Sequence, residues 1–311
     1  MALDTSTISV SAPGSIMVMG EHAVLFGHRA IACAVDKYIH VDLTPRDDDQ
    51  VIIDSALAEY CGSLNALHDD QRIRFVLAAI AHFQPALPSG LTLKITAGFS
   101  HTVGLGSSAA VTAAVVKALA IYSGQSDTPE AIFTAALAVV HKVQGRGSGT
   151  DLAASIYGGL IAYTVEPREV CPLPGLPPIS LFYVGYKTTT PEVLSVVAQR
   201  SEQHPALYEQ IYQLMDKTSC EAEAAIKQQD WPALGRLMNV YQGLMDALGV
   251  TDANLAQLVY QLRSTPLING AKISGSGLGD CVIALGQDSH LDVPFESIPV
   301  NISAKGTVRV N

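Results

Sequence analysis

The sequence predicts an α+β protein of two domains around a shared cleft. Strand and helix signals are mixed along the chain rather than strictly alternating. Proline-rich composition between Pro167 and Pro178 marks a boundary, which divides the chain into 1–168 and 169–311. The 311 residues suffice for two medium domains, and 48% hydrophobic against 15% charged residues can bury a substantial core.

In the first half, residues 8–12, 16–19, 38–43, 51–54 and 91–96 read as strands. The third alternates Ile39, Val41 and Leu43 on one face. Asp47-Asp48-Asp49 is a polar turn, expected to be solvated rather than a metal site. Residues 72–83 form an amphipathic helix; 111–122 form an alanine-rich helix, ended by Gly124. Residues 128–143 follow, with Thr128 as N-cap and Pro129 in the first turn. Beyond the boundary come a strand at 179–184 and helices at 191–199, 206–228, 232–248 and 254–263. Strand, glycine-rich turn and strand close the pattern at 271–274, 275–279 and 281–285. Trp231, before Pro232 at a helix start, is expected to pack rather than to stack on a ligand.

Composition excludes some function classes. The net charge of −10, with no Lys/Arg cluster, argues against nucleic acid as a partner. No apolar run reaches the roughly 18 residues of a membrane span, and residues 1–10 lack the charged and apolar regions of a leader. Five scattered cysteines with no C-x-x-C pair fit a reduced, cytoplasmic protein without a zinc site.

Gly104-Leu105-Gly106-Ser107-Ser108-Ala109 runs straight into an alanine-rich helix. A glycine turn at a helix start presents free N–H groups at the positive end of the dipole, which suits phosphate. The two serines add hydroxyl donors, or a ligand for phosphate-bound Mg²⁺. No Gly-Lys-Ser/Thr follows, so this is not a Walker loop, and tight packing uses the same pattern. Asp151, after Gly149-Thr150, suits either a catalytic base or a helix N-cap.

Three glycine-rich segments appear in order: Ala12-Pro13-Gly14-Ser15 with Gly20-Glu21-His22, then 104–110, then Lys272-Ile273-Ser274-Gly275-Ser276-Gly277-Leu278-Gly279-Asp280-Cys281. Together they resemble the motifs of the GHMP kinases over nearly the whole chain. The resemblance implies a two-domain fold, with an N-terminal domain like ribosomal protein S5 domain 2 and a ferredoxin-like C-terminal domain. It also implies ATP as phosphate donor. Gly20 to Gly27, Gly235-Arg236-Leu237-Met238-Asn239 and Leu248-Gly249-Val250 are most like the mevalonate-kinase branch. His141 to Gly145 and Gly279-Asp280-Cys281 are more like phosphomevalonate kinases.

On the resemblance, Gly104, Leu105, Gly106, Ser107, Ser108 and Ala109 bind ATP, and Ser108 also takes Mg²⁺. Glu21, His22, Thr190, Gly275 and Ser276 contact the acceptor, and Asp151, followed by the Tyr157-Gly158-Gly159 of the family motif, is the base. The resemblance implies mevalonate as acceptor, with phosphomevalonate as alternative. The expected assembly is a homodimer. Two departures stand out. The family's first motif carries a lysine where this chain has Ser15, and the helix before the Asp151 loop reads Ala138-Val139-Val140-His141-Lys142-Val143-Gln144, without the metal-binding glutamate. Lys187, after the strand at 179–184, is the expected replacement cation, ahead of Lys142 and Arg146. A silent binding protein on the same fold is the alternative that Ser15 raises.

Overall fold

The computed structural model describes residues 6–99 and 104–311; residues 1–5, part of the segment read for a leader, lie outside it. The first sheet is built on two long strands, β1 (Ile8–Met19) and β2 (Ala30–Pro45), paired antiparallel. The two strands expected at 8–12 and 16–19 are one. Pro13-Gly14 is absorbed as a register shift, and a side chain at Gly14 would press on the Leu105 carbonyl.

β3 (Gln50–Ser55), β4 (Glu59–Ser63) and β5 (Leu91–Ala97) extend the sheet. Helix α1 (Arg74–Phe83) carries the chain from β4 to β5, which lies parallel to β3. Three helices join α1 in the N-terminal half: α2 (Ser107–Tyr122), α3 (Pro129–Gln144) and α4 (Thr150–Tyr157). Thr128 caps α3 through the Ala131 N–H, as its sequence predicts. Helix α2 packs against β1, β2, α1, α3 and α4. Its run of alanines is buried nearly all round, which suits a central helix rather than an amphipathic one. β6 (Leu160–Thr164) pairs with β2, and β7 (Glu169–Leu173) pairs with β6, so the first sheet continues into the proline-rich segment.

The second sheet has the order β11-β8-β10-β9, all antiparallel: β8 (Ile179–Tyr183), β9 (Gly270–Ser274), β10 (Cys281–Leu285) and β11 (Glu296–Ile298). The β8–β9 crossover holds α5 (Thr190–Gln203), α6 (Pro205–Lys227), α7 (Trp231–Ala247) and α8 (Ala253–Arg263). This is the strand order of a ferredoxin-like sheet, with its helices gathered in the first crossover and none between β10 and β11. Trp231 packs against the core and against Gly175. The chain end returns to the first sheet, where β12 (Val308–Arg309) pairs with β1.

One buried apolar cluster runs from Ile16, Ile31 and Leu105 of the first half into α6, α7, α8 and β8–β10. The sheets therefore meet through packed side chains, and the glycine-rich segments converge at that junction. No helix among the described residues is long and apolar enough to cross a membrane.

Candidate active site

Gly106 (φ 61°) precedes α2 without any side-chain cap, and its carbonyl accepts from the Ala109 and Ala110 N–H groups. The open first turn thus carries Ser107 and the exposed Ser108. Leu105 is buried, and its carbonyl accepts from the Ser15 N–H at 3.0 Å, which ties the loop to β1. A Cβ at Gly106 would overlap the Ser15 hydroxyl. A side chain at this position would therefore collide with β1.

Asp151 lies in the first turn of α4, and the residue before that helix is Gly149 (φ 83°). Asp151 is therefore not the N-cap, which removes the structural alternative raised by its sequence. Its Oδ1 accepts from the Ser15 hydroxyl at 2.9 Å. Ser155, one turn on, donates to the Pro13 carbonyl at 2.6 Å and locks α4 to β1. Burial pushes the Asp151 carboxyl above its ordinary range, while the Ser15 hydroxyl and the nearby Lys187 ammonium pull it back. Asp280 and Glu21, both acidic, add to the upward push.

Lys187 reaches this place from the second domain. Its Nζ lies 2.7 Å from Asp280 Oδ2, and the other oxygen of Asp280 accepts the Gly104 N–H at 3.0 Å. Two hydrogen bonds hold the 186–190 loop to the glycine-rich turn: Asp280 N–H to the Tyr186 carbonyl, and the Thr188 hydroxyl to the Leu278 carbonyl. Thr190 is exposed at the start of α5, beside the Thr189–Glu192 capping box, and no hydrogen bond joins it to the other site residues. Lys142 and Arg146 are exposed near the end of α3, without an ion pair among the described residues.

A second constellation lies deeper in the junction. Glu21 and His22 are 3% and 5% exposed. Glu21 Oε1 meets Lys272 Nζ at 2.5 Å, and that ammonium also donates to the Ile273 carbonyl. Lys272 is wholly buried and stacks over the Tyr241 ring. Burial lowers its pKa, with Glu21 opposing. His22 Nε2 lies 2.8 Å from the Ser276 carbonyl. Burial also lowers the His22 pKa, so the ring is neutral at pH 7, with the proton on Nε2 facing that carbonyl. This leaves Nδ1 as an acceptor. Nδ1 and Glu21 Oε2 are buried without a hydrogen-bond partner among the described residues. Gly275 N–H points at Glu21 Oε1 from 3.4 Å.

In the sequence Lys272 and Asp280 stand out only as parts of the third glycine-rich segment. Nothing local marks them: one stands in an apolar strand, the other in a glycine turn. Among the described residues no group of three or more His, Cys, Asp or Glu could hold a resident metal. All five cysteines are unpaired.

The profile for the GHMP kinases N terminal domain matches residues 74–159, and that for the GHMP kinases C terminal matches 222–292. Mevalonate kinase of Pyrococcus abyssi is 32% identical over 305 residues, covering 92% of this chain and 90% of that one. The crystal structure of L. major mevalonate kinase in complex with R-mevalonate superposes with a TM-score of 0.71 at 24% identity, covering 90% and 87%. Streptococcus pneumoniae phosphomevalonate kinase in complex with phosphomevalonate and AMPPNP does so with 0.75 at 20%, covering 90% and 92%. At these identities both structures speak for the fold and not for the acceptor. The profiles and the nearly full-length relative agree with the three glycine-rich motifs meeting at one junction, and the chain belongs to the GHMP family of small-molecule kinases.

Proposed function

We propose that the chain transfers the γ-phosphoryl group of MgATP to the hydroxyl of mevalonate. The observation that carries this reading is the meeting of Asp151, Ser15, Lys187 and the open start of α2 at the domain junction. The near full-length likeness to mevalonate kinases supports the choice of acceptor.

The triphosphate would lie over the N–H groups of 106–108, where the helix dipole favours negative charge. Mg²⁺ arrives with the nucleotide. Ser108, exposed in the first turn, fits a site in which phosphates and water supply most ligands. Asp151 would accept the hydroxyl proton as the acceptor oxygen bonds to the γ-phosphorus and the bond to the β–γ bridging oxygen breaks, releasing ADP. A carboxyl whose pKa burial has raised is a stronger base than a solvated one. Ser15 supplies no charge; it orients Asp151, and Lys187 supplies the cation that neutralises the phosphoryl oxygens. Glu21 Oε2 and His22 Nδ1, buried with unmet hydrogen-bonding capacity, would form the inner wall of the acceptor subsite with Gly275 and Ser276.

ADP release measured with mevalonate, phosphomevalonate, homoserine and galactose tests the reading. Turnover with mevalonate is expected at least tenfold above each other acceptor, roughly 1.4 kcal/mol of discrimination. Preference for phosphomevalonate would reassign the acceptor. Nucleotide binding without turnover on any of them would make the chain a binding protein.

A further inference from the structure

We infer that Asp280 is a positioning residue: from the second domain it holds the Lys187 ammonium beside Asp151 and pins the mouth of the phosphate loop. This rests on the kinase reading, in which Lys187 is the transferring cation. Asp280 spends its two oxygens on two different jobs. Oδ2 pairs with Lys187 at 2.7 Å, and Oδ1 accepts the Gly104 N–H at 3.0 Å, across the junction.

Lys187 needs such a partner. Its side chain is 39% exposed, and a lysine stem free in water spreads over many rotamers. A lysine on β1 would start from a rigid strand, whereas Lys187 stands on a loop. The partner, by contrast, is fixed: the Asp280 side chain is 11% exposed. Its backbone holds a left-handed φ of 71°, kept by Asp280 N–H to the Tyr186 carbonyl and Val184 N–H to the Asp280 carbonyl. A non-glycine residue in that region is strained, and surrounding structure must enforce it. Gly104 is shaped to match, because any Cβ there would overlap the Asp280 carboxylate. The phosphate loop, the cation and the turn at 275–280 are therefore one mechanical unit.

The charges around Asp151 can be named. Ser15 from β1 and Lys187 favour its ionised form; Asp280 and Glu21 oppose it, and Glu21 is itself paired with Lys272. Around Asp280 lie Lys187, the Cys281 thiol and the Tyr183 ring. Removing the Asp280 charge removes a like charge from Asp151 but also frees Lys187, whose opposite charge acts on Asp151 more strongly.

Steady-state kinetics of Asp280→Asn with MgATP and mevalonate test this. Asparagine keeps the shape and the acceptor for Gly104 but loses the ion pair. The expected result is a fall in kcat of about 10- to 100-fold, the scale of a misplaced catalytic group. The mevalonate KM should move little, and the acidic limb of kcat should shift to higher pH, because the released Lys187 lowered the Asp151 pKa more than Asp280 raised it. Lys187→Met alone and Lys187→Met with Asp280→Asn should lose the same factor, because Asp280 acts through the lysine. Asp280→Ser is run beside it and should behave alike should the asparagine variant fold poorly. Wild-type kcat with an unmoved acidic limb in either soluble variant overturns the inference. So does a loss that multiplies with that of Lys187→Met. A Lys187→Met enzyme with wild-type kcat would instead remove Lys187 from the kinase reading; a large loss there, with none in Asp280→Asn, removes the positioning role alone.

Discussion

Two lysine–carboxylate pairs sit at the domain junction, and they differ in almost every physical respect. Lys272–Glu21 is sealed, with side-chain exposures of 0% and 2%. Lys187–Asp280 is open on the lysine side, at 39% against 11%. A sealed pair has lost its water and cannot exchange partners without a large penalty, so it fixes geometry. An open pair keeps part of its hydration, and its ammonium can turn toward an incoming anion at little cost. Exposure, rather than sequence, thus separates a residue that holds the cleft together from one that can take part in transfer.

The sharpest way to break this contrast is Lys272→Met. It leaves the Glu21 carboxyl buried with its ammonium partner removed. Breaking one side of a buried pair costs about 3–5 kcal/mol. Chemical denaturation should show that loss, and Lys272→Met combined with Glu21→Gln should recover much of it. A single variant as stable as wild type would show that the pair fixes nothing.

The open side predicts the opposite distribution of effects. Lys187→Met should lower kcat by about 10²–10³-fold, as for other lost transition-state donors, while the unfolding midpoint barely moves. Asp151→Asn should cost about 10²-fold or more in kcat, the range for a lost general base. Its stability sign follows from the raised pKa. In the folded state the carboxyl holds its proton to higher pH than in the unfolded chain, so the wild type loses stability as pH rises from the ordinary aspartate range through the folded value. Asparagine escapes that loss. At neutral pH the variant should be as stable as wild type or more so, with the gap closing on acidification. Normal turnover with a destabilised fold would reverse the roles assigned to Asp151.

The same contrast explains what was legible in the sequence. The three glycine motifs, the α2 turn and Asp151 were readable because each is local: a turn needs glycine, and a helix start needs open N–H groups. Helices α5 to α8 were readable because their faces alternate. The first half of β2, Ala30-Ile31-Ala32-Cys33-Ala34-Val35, was missed because it is apolar on both faces and carries no period. β6 was missed for the same reason. The Lys272–Glu21 and Lys187–Asp280 pairs join residues far apart in the chain, so no window of sequence contains them. Lys187 was reachable only because the absence of a lysine at Ser15 demanded a substitute.

A third pair, at the surface, extends the comparison and carries the smallest effect. Arg46 meets Asp48 through two short hydrogen bonds, Nε to Oδ1 at 2.7 Å and Nη2 to Oδ2 at 2.6 Å, at the turn after β2. That bond lowers the Asp48 pKa to about 2, with the Gln50 N–H adding to it. A depressed folded pKa means stability that is present above the unfolded aspartate value and is lost as pH falls toward the folded one. Asp48→Asn should therefore unfold slightly below wild type at pH 7, and the two midpoints should converge as pH approaches 2. Because both side chains are partly exposed to water, salt should also shrink the difference. The Lys272–Glu21 pair should keep most of its effect in the same salt. Equal salt sensitivity of the Asp48→Asn and Lys272→Met effects would mean that burial does not separate the pairs, and the distinction between the holding pair and the transferring pair would fall with it.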